Sequence, residues 1–296
     1  MRAVWILVGI LAASAACGYA QNAAKQDPVR LVRETVYNEL QDHSSHGYWR
    51  YWVRQQAQNG SSIEVQVETA DGPVGHLLQQ NGQPLDEQRE QLENARLLNL
   101  RNSTSQQANH RQNFIEDDQR IGRILALLPD AFLYQDAGIE NDCRRLRYTP
   151  NPKYSTHSME ARVFHQLSGE LWIDLRMKRI RRFDGRLDDN VDFAFGMLGR
   201  ISKGSWFSMT RAQVSAKEWK TDHFESHVNG RALLFKTIAH DITEARGGFE
   251  AVPPAMSLEQ GLKVLEETVA ASQALKTDGR ISPAALVTEK FRGPGQ

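Results

Sequence analysis

The stretch richest in reactive groups is His223-Phe224-Glu225-Ser226-His227. Two imidazoles and a carboxylate could hold a metal ion or move a proton. The helical zinc-protease pattern has its histidines one turn apart, with the glutamate directly after the first; this segment does not. The His-x-Glu order also occurs in zinc deaminases, but their Pro-Cys-x-x-Cys is missing. In a strand, His223, Glu225 and His227 would share one face, with the two histidines roughly 13 Å apart. That is too far for one ion, so a solvated strand face is expected. His43-Ser44-Ser45-His46, beside Asp42, is a second possible ligand pair, but no third cluster accompanies it and a polar turn is expected. No Gly-x-Ser-x-Gly elbow is present. Cys143 precedes Arg144 and Arg145, which could lower its pKa, although a cysteine at a strand start is more often inert. Asp117-Asp118 and Asp188-Asp189 lie in polar helix or turn contexts and read as solvated. No catalytic residue, cofactor or metal is therefore expected, and the protein reads as a non-enzyme.

The aromatic residues on predicted strands carry more weight. Trp49 and Tyr51 alternate with Arg50 and Trp52, so the two pairs face opposite ways. Trp172, Phe207 and Phe224 could face either way. The segment Val191 to Ile201 interleaves Phe193, Phe195, Met197 and Leu198 with Gly196 and Gly199. Connections are normally polar, so this one is either a buried plug or a mobile hydrophobic lip. Trp49, Tyr51, Trp172, Phe193, Phe195, Met197, Phe207 and Phe224 are thus the candidate lining and lip of a ligand cavity. An ordinary core uses the same residue types. Arg176, Lys178, Arg179, Arg181 and Arg182 form a basic turn and strand. Such runs are usually solvated; the functional reading is contact with anionic lipid headgroups or an acidic partner.

The elements that must position these residues follow from periodicity. Asp27 to Leu40 places Val29, Val32, Val36 and Leu40 at helical spacing behind Pro28. Tyr48 to Gln56 and Ile63 to Val67 alternate around Asn59-Gly60, which predicts a hairpin with one dry and one wet face. Val74 to Gln80 is a third strand, closed by Asn81-Gly82. Between 84 and about 128, Leu92, Ala95 and Leu98 give one helical stripe. Ile115, Ile121, Ile124 and Leu128 give another, across a Ser/Asn/Gln loop. Short strands follow at 131–135 and 144–149. A meander from Gly169 to Arg246 comes next, punctuated by Gly169, Gly185, Gly204 and Gly230. Ser257 to Lys276 is a final amphipathic helix. Roughly ten antiparallel strands in one sheet tend to curl. The fold class expected is mainly β with α (α+β): a curved antiparallel half-barrel with helices covering the concave face.

The whole chain sets the compartment. Arg2 and the apolar run Ala3 to Ala16 predict an export signal spanning 1–20, too short for a bilayer span. Cleavage after Ala20 would leave Gln21 first. The alternative is lipid attachment at Cys17, although Ser14 stands where a bulky aliphatic is usual. A single domain over 21–276 and a flexible Pro/Gly-bearing tail over 277–296 are expected. After cleavage Cys143 is the sole cysteine, so no internal disulfide can form. The chain carries 36 Lys and Arg against 36 Asp and Glu, which argues against a nucleic-acid partner.

Several segments resemble a family of uncharacterised exported bacterial proteins. They are 81–85 (NGQPL), 128–132 (LPDAF), 171–174 (LWID), 191–193 (VDF), 196–199 (GMLG), 203–204 (KG) and 230–238 (GRALLFKTI). The strand order is in turn similar to the outer-membrane lipoprotein-sorting proteins of the LolA/LolB type. Those have an unclosed half-barrel with helices over a greasy hollow for acyl chains. No binding residue of theirs is matched here. The resemblance implies a protein binding a hydrophobic or acyl-bearing ligand, such as a lipoprotein; the export signal places it in the periplasm, the missing catalytic constellation makes it non-catalytic, and the basic run would meet an anionic membrane surface. The competing expectation is a structural or interaction protein of the envelope, whose hollow is filled by its own side chains.

Overall fold

The structure is a computed structural model that describes residues 27–45, 47–155, 158–193, 199–232 and 236–277. The chain opens with helix α1 (Pro28–Ser45), then strands β1 (Tyr48–Ala57), β2 (Gly60–Val67), β3 (Val74–Gln80) and β4 (Gln83–Pro84). Helices α2 (Glu87–Asn102) and α3 (Thr104–Ala131) follow, then β5 (Phe132–Glu140), β6 (Cys143–Pro150) and α4 (Met159–Phe164). The meander is β7 (Leu167–Asp174), β8 (Ile180–Leu187), β9 (Val191–Phe193), β10 (Gly199–Ile201), β11 (Trp206–Gln213), β12 (Trp219–Ala232) and β13 (Lys236–Val252). Helix α5 (Leu258–Thr277) ends the described chain. All 13 strands form one sheet in the order β4-β3-β2-β1-β13-β12-β11-β8-β7-β6-β5, with β10 beside β12 and β9. The outermost strands do not pair, so this α+β fold is a curved, unclosed antiparallel sheet carrying helices.

Local chemistry explains the joints. Asn81 and Gly82 both have positive φ, as the tight β3–β4 turn requires. Ser103 is at once the C-cap of α2 and the N-cap of α3, its Oγ accepting from Gln106 N. The polar loop expected between these helices therefore shrinks to one capping residue. Helix α1 runs past its expected end to Ser45, because Asp42 on its last turns pairs with Arg179. Pro129 is absorbed in the last turn of α3, and the chain becomes β5 at Phe132.

Helices pack on both faces of the sheet. Leu31, Val32 and Val36 of α1 and Leu128 and Ala131 of α3 pack on Phe132, Leu146, Tyr148, Leu171 and Ile173. This is the face that also bears Phe183 and Phe207, since Leu171 pairs with Phe183 and Gly185 with Phe207. At the other end of the sheet, Leu258, Leu262, Leu265 and Val269 of α5, with Leu97 and Leu100 of α2, cover Val65, Val67 and Val74. Val65 pairs with Trp52, Trp52 with Gly247, Ala245 with His223, His223 with Thr210, Thr210 with Arg182 and Arg182 with Trp172. The α5-covered face is thus the face of Trp172. For clarity, the α1 side is called the inner face and the Trp172 side the outer face.

The inner face contains one notable accommodation. Gly169 and Gly185 sit opposite each other inside β7 and β8, not at turns as their spacing suggested. Tyr148 crosses this gap and its hydroxyl donates to Asp184 O at 2.7 Å. A Cβ at Gly169 would lie 2.0 Å from that same backbone oxygen. We expect Gly169→Ala to lower stability by about 1–3 kcal/mol through overpacking, measurable by urea denaturation. A neutral result would mean that Tyr148 does not occupy the gap.

The exposed edge at β3 is protected. β4 pairs only with the end of β3, leaving its middle unpaired. Helix α2 fills the gap: Glu93 accepts from Leu77 N at 2.8 Å and Arg96 donates to Gly75 O at 2.6 Å. Side chains here replace a neighbouring strand and deny the edge to another chain.

Candidate binding surface

The described aromatics expected to line one cavity fall into separate places. Trp49 and Tyr51 form a small cluster with Val53, Val214 and Phe249. Trp49 Nε1 donates to Glu218 at 2.9 Å. Phe207 meets Phe183 edge-on at 5.1 Å in the main core, and Phe193 packs against the same core. Phe224 lies between these clusters on the inner face, opposite Met209 and Glu244. Trp172 is on the other side of the sheet. Phe195 and Met197 lie outside the described residues. The Val191 to Ile201 connection proves partly regular, since β9 and β10 pair and β10 joins β12.

The reason lies in strand register. Tyr51 pairs with Gln66, so Trp49, Tyr51 and Val53 share their face with Glu64, Gln66 and Glu68. The β1–β2 hairpin thus has no wholly dry face: β1 turns its apolar residues toward the polar residues of β2. Around Tyr51 stand Glu64, Glu68, Glu244 and Arg246, whose guanidinium lies 5.8 Å over the phenol ring. Burial pushes the Tyr51 phenol up and raises the Glu64 carboxyl above its ordinary value. A carboxyl raised on folding is penalised once ionised, so Glu64 costs stability above the unfolded glutamate pKa of about 4.3. Glu64→Gln is therefore expected to raise the melting temperature at pH 7, with the gain fading as pH falls below about 4. An equal gain at both pH values would show that charge is not the cause.

On the outer face, no described helix packs on strands β6 to β8. Trp172 sits between two guanidiniums there, Arg182 at 4.9 Å and Arg145 at 5.5 Å from its ring. Carboxylates hold both in place. Glu170 receives two hydrogen bonds from Arg145, at 2.7 and 3.1 Å. Asp184 receives two from Arg182 Nε, at 2.8 and 3.0 Å. Alternation adds Arg147, Arg186 and Leu133 to this face, and Trp206 pairs with Arg186. Arginines outnumber carboxylates across these strands. The patch can present a fixed, flat cation–aromatic surface, with a positive surplus, to a partner.

The basic run expected over 176–182 divides accordingly. Arg179 turns inward to Glu39 and Asp42, Arg181 lies 5.6 Å over Trp219, and only Arg182 joins the patch. Of the decisive residues, the sequence reading weighed Arg145 only as a neighbour of Cys143 and Arg147 not at all. Their signal was the alternation of Arg145 and Arg147 around Leu146, with Trp172 on the very next strand.

The reactive-group candidates resolve as follows. His223, Glu225 and His227 share the outer face, and His227 Nδ1 binds Asp241 while its ring stacks on Trp206. Among the described residues, no three His, Cys, Asp or Glu side chains come together as a metal site. Cys143 is buried, and burial pushes its thiol up rather than down. The His43 to His46 side chains lie outside the described residues. No described helix is long and apolar enough to cross a membrane. Comparison with protein-family models, curated proteins and solved structures returns no match.

Proposed function

We propose that this is a non-catalytic interaction protein of the cell envelope that docks an acidic partner protein on its outer sheet face. The observation that carries this reading is Trp172 held between Arg145 and Arg182 on a face that no described helix covers. Tryptophan and arginine dominate binding hot spots, and immobilised guanidiniums lose little freedom on association. The surplus of arginine sets the sign of the partner. A photo-crosslinking residue at Leu133, exposed on the same face, tests it in the native host. We expect one discrete protein adduct that disappears in the Arg145→Glu/Arg182→Glu background. A crosslinker at Leu98, exposed on α2, should give none. An adduct that ignores the charge reversal, or none at all at Leu133, would remove the proposal. Sedimentation with phosphatidylglycerol vesicles that is lost on charge reversal would replace the protein partner by a lipid surface.

A second reading has one observation in its favour. Phe207, Met209 and Phe224 are half-buried together on β11 and β12 of the inner face. They could border a hollow for a hydrophobic or acyl-bearing ligand, as the resemblance to lipoprotein-sorting proteins implies. Against it, the ground between them and Tyr51 holds Glu244 and Arg246, which an acyl chain would have to desolvate.

A further inference from the structure

A hollow of about 320 Å³ opens on the outer face, away from the Trp172 patch. One transverse row of paired residues lines it: His223 with Ala245, Ala245 with Arg54, Arg54 with Ile63, and Ile63 with Gln79. The row explains the cavity. Ala245 is the smallest side chain in it and stands between two of the longest, so space opens between Arg54 and His223. Thr243, one pleat further along β13, continues the wall.

The lining is chemically one-sided. It includes a guanidinium, an imidazole, amides and hydroxyls, but no carboxylate. Gln79 lines the hollow and is 8% exposed. A strand spacing of about 4.8 Å places His223 and Gln79 each about 10 Å from Arg54, on either side of it.

The geometry points to this hollow as a binding site for a small carboxylate that carries an amide, such as an N-acylated amino acid or the C-terminus of a short peptide. The carboxylate sits between Arg54 and His223, where charge-assisted hydrogen bonds are strongest. The ligand's short apolar part crosses Ile63. Its amide meets Gln79, which can both donate and accept. The volume is at the small end of ligand pockets and fits a molecule of this size.

N-Acetylalanine and its uncharged amide are the probes, followed by NMR of the His223 ring in the intact protein. We expect saturable shifts with the acid and at least tenfold weaker binding of the amide. Arg54→Gln should weaken the acid at least tenfold at an unchanged melting temperature. Gln79→Leu should weaken N-acetylalanine but leave binding of acetate unchanged. Equal binding of acid and amide, or no effect of Arg54→Gln, would overturn the site. Inorganic phosphate binding as tightly as N-acetylalanine would also overturn it, by reducing the hollow to a bare anion site. Arg54 and Gln79 lie outside the Trp172 patch, so these results are independent of partner docking.

Discussion

Replacing Glu39 by alanine is expected to cost about 3–5 kcal/mol, because it leaves the partly buried Arg211 without a carboxylate and takes one of two from buried Arg179. Glu39 is 4% exposed and stands near the end of α1. Its Oε1 accepts from Ile180 N at 2.7 Å, at the start of β8. Its Oε2 accepts from Arg179 at 2.9 Å and also from Arg211 of β11. Arg211 in turn donates to Trp219 O at 2.7 Å, at the start of β12. One carboxylate therefore ties a helix to three strands. Asp42 would still pair with Arg179, but Arg211 would lose its only carboxylate partner among the described residues. A domain of ordinary stability has about 5–15 kcal/mol in total, so the loss should be plain in urea denaturation. Glu39→Gln keeps an acceptor for Ile180 N and should cost less. A loss below about 1 kcal/mol for Glu39→Ala would show that water or rearranged side chains reach the two guanidiniums.

Local pattern carried much of the fold. The long strands of the meander, the Asn81-Gly82 turn and the α5 stripe stand where alternation, turn chemistry and helical spacing placed them, whereas β9 and β10 fall in what read as a connection. Leu258, Leu262, Leu265 and Val269 are all buried. These features depend on residues within a few positions of one another. What stayed hidden depends on which strand meets which. β1 pairs with β13, almost the whole domain away in sequence, and that pairing decides what Arg54 faces. The same-sided arrangement of Tyr51 with Gln66 cannot be read from either strand alone, since each has a perfect alternation. Gly169 and Gly185 looked like punctuation because a glycine's need for space is visible only once Tyr148 is placed beside it. The candidate surfaces were illegible for the same reason. Trp172 was singled out as an aromatic, but the guanidiniums that flank it come from neighbouring strands, and the row from His223 to Gln79 draws on five.

Truncating Phe207 to serine separates the two readings of the inner face. Phe207 contacts Phe183 edge-on at 5.1 Å, and Phe183 in turn lies 5.5 Å from Tyr148. The ring is thus one end of an aromatic chain leading into the main core. If the core fills itself, Phe207→Ser leaves a cavity next to Phe183 and places a hydroxyl among rings. A loss of about 3 kcal/mol is expected, with no saturable binding of a fluorescent fatty-acid probe by either form. Phe193→Ser, packed on the same core from β9, should behave alike. A ligand hollow predicts the opposite pattern. The probe would then bind saturably to the parent protein, Phe207→Ser would weaken it by more than tenfold, and the melting temperature would barely move. The self-filled outcome is expected because the described inner-face rings already meet other side chains, while the gap toward Tyr51 is occupied by ionised groups. Observing the opposite pattern would restore the inner face as the ligand site and demote the Trp172 patch to an ordinary solvated surface.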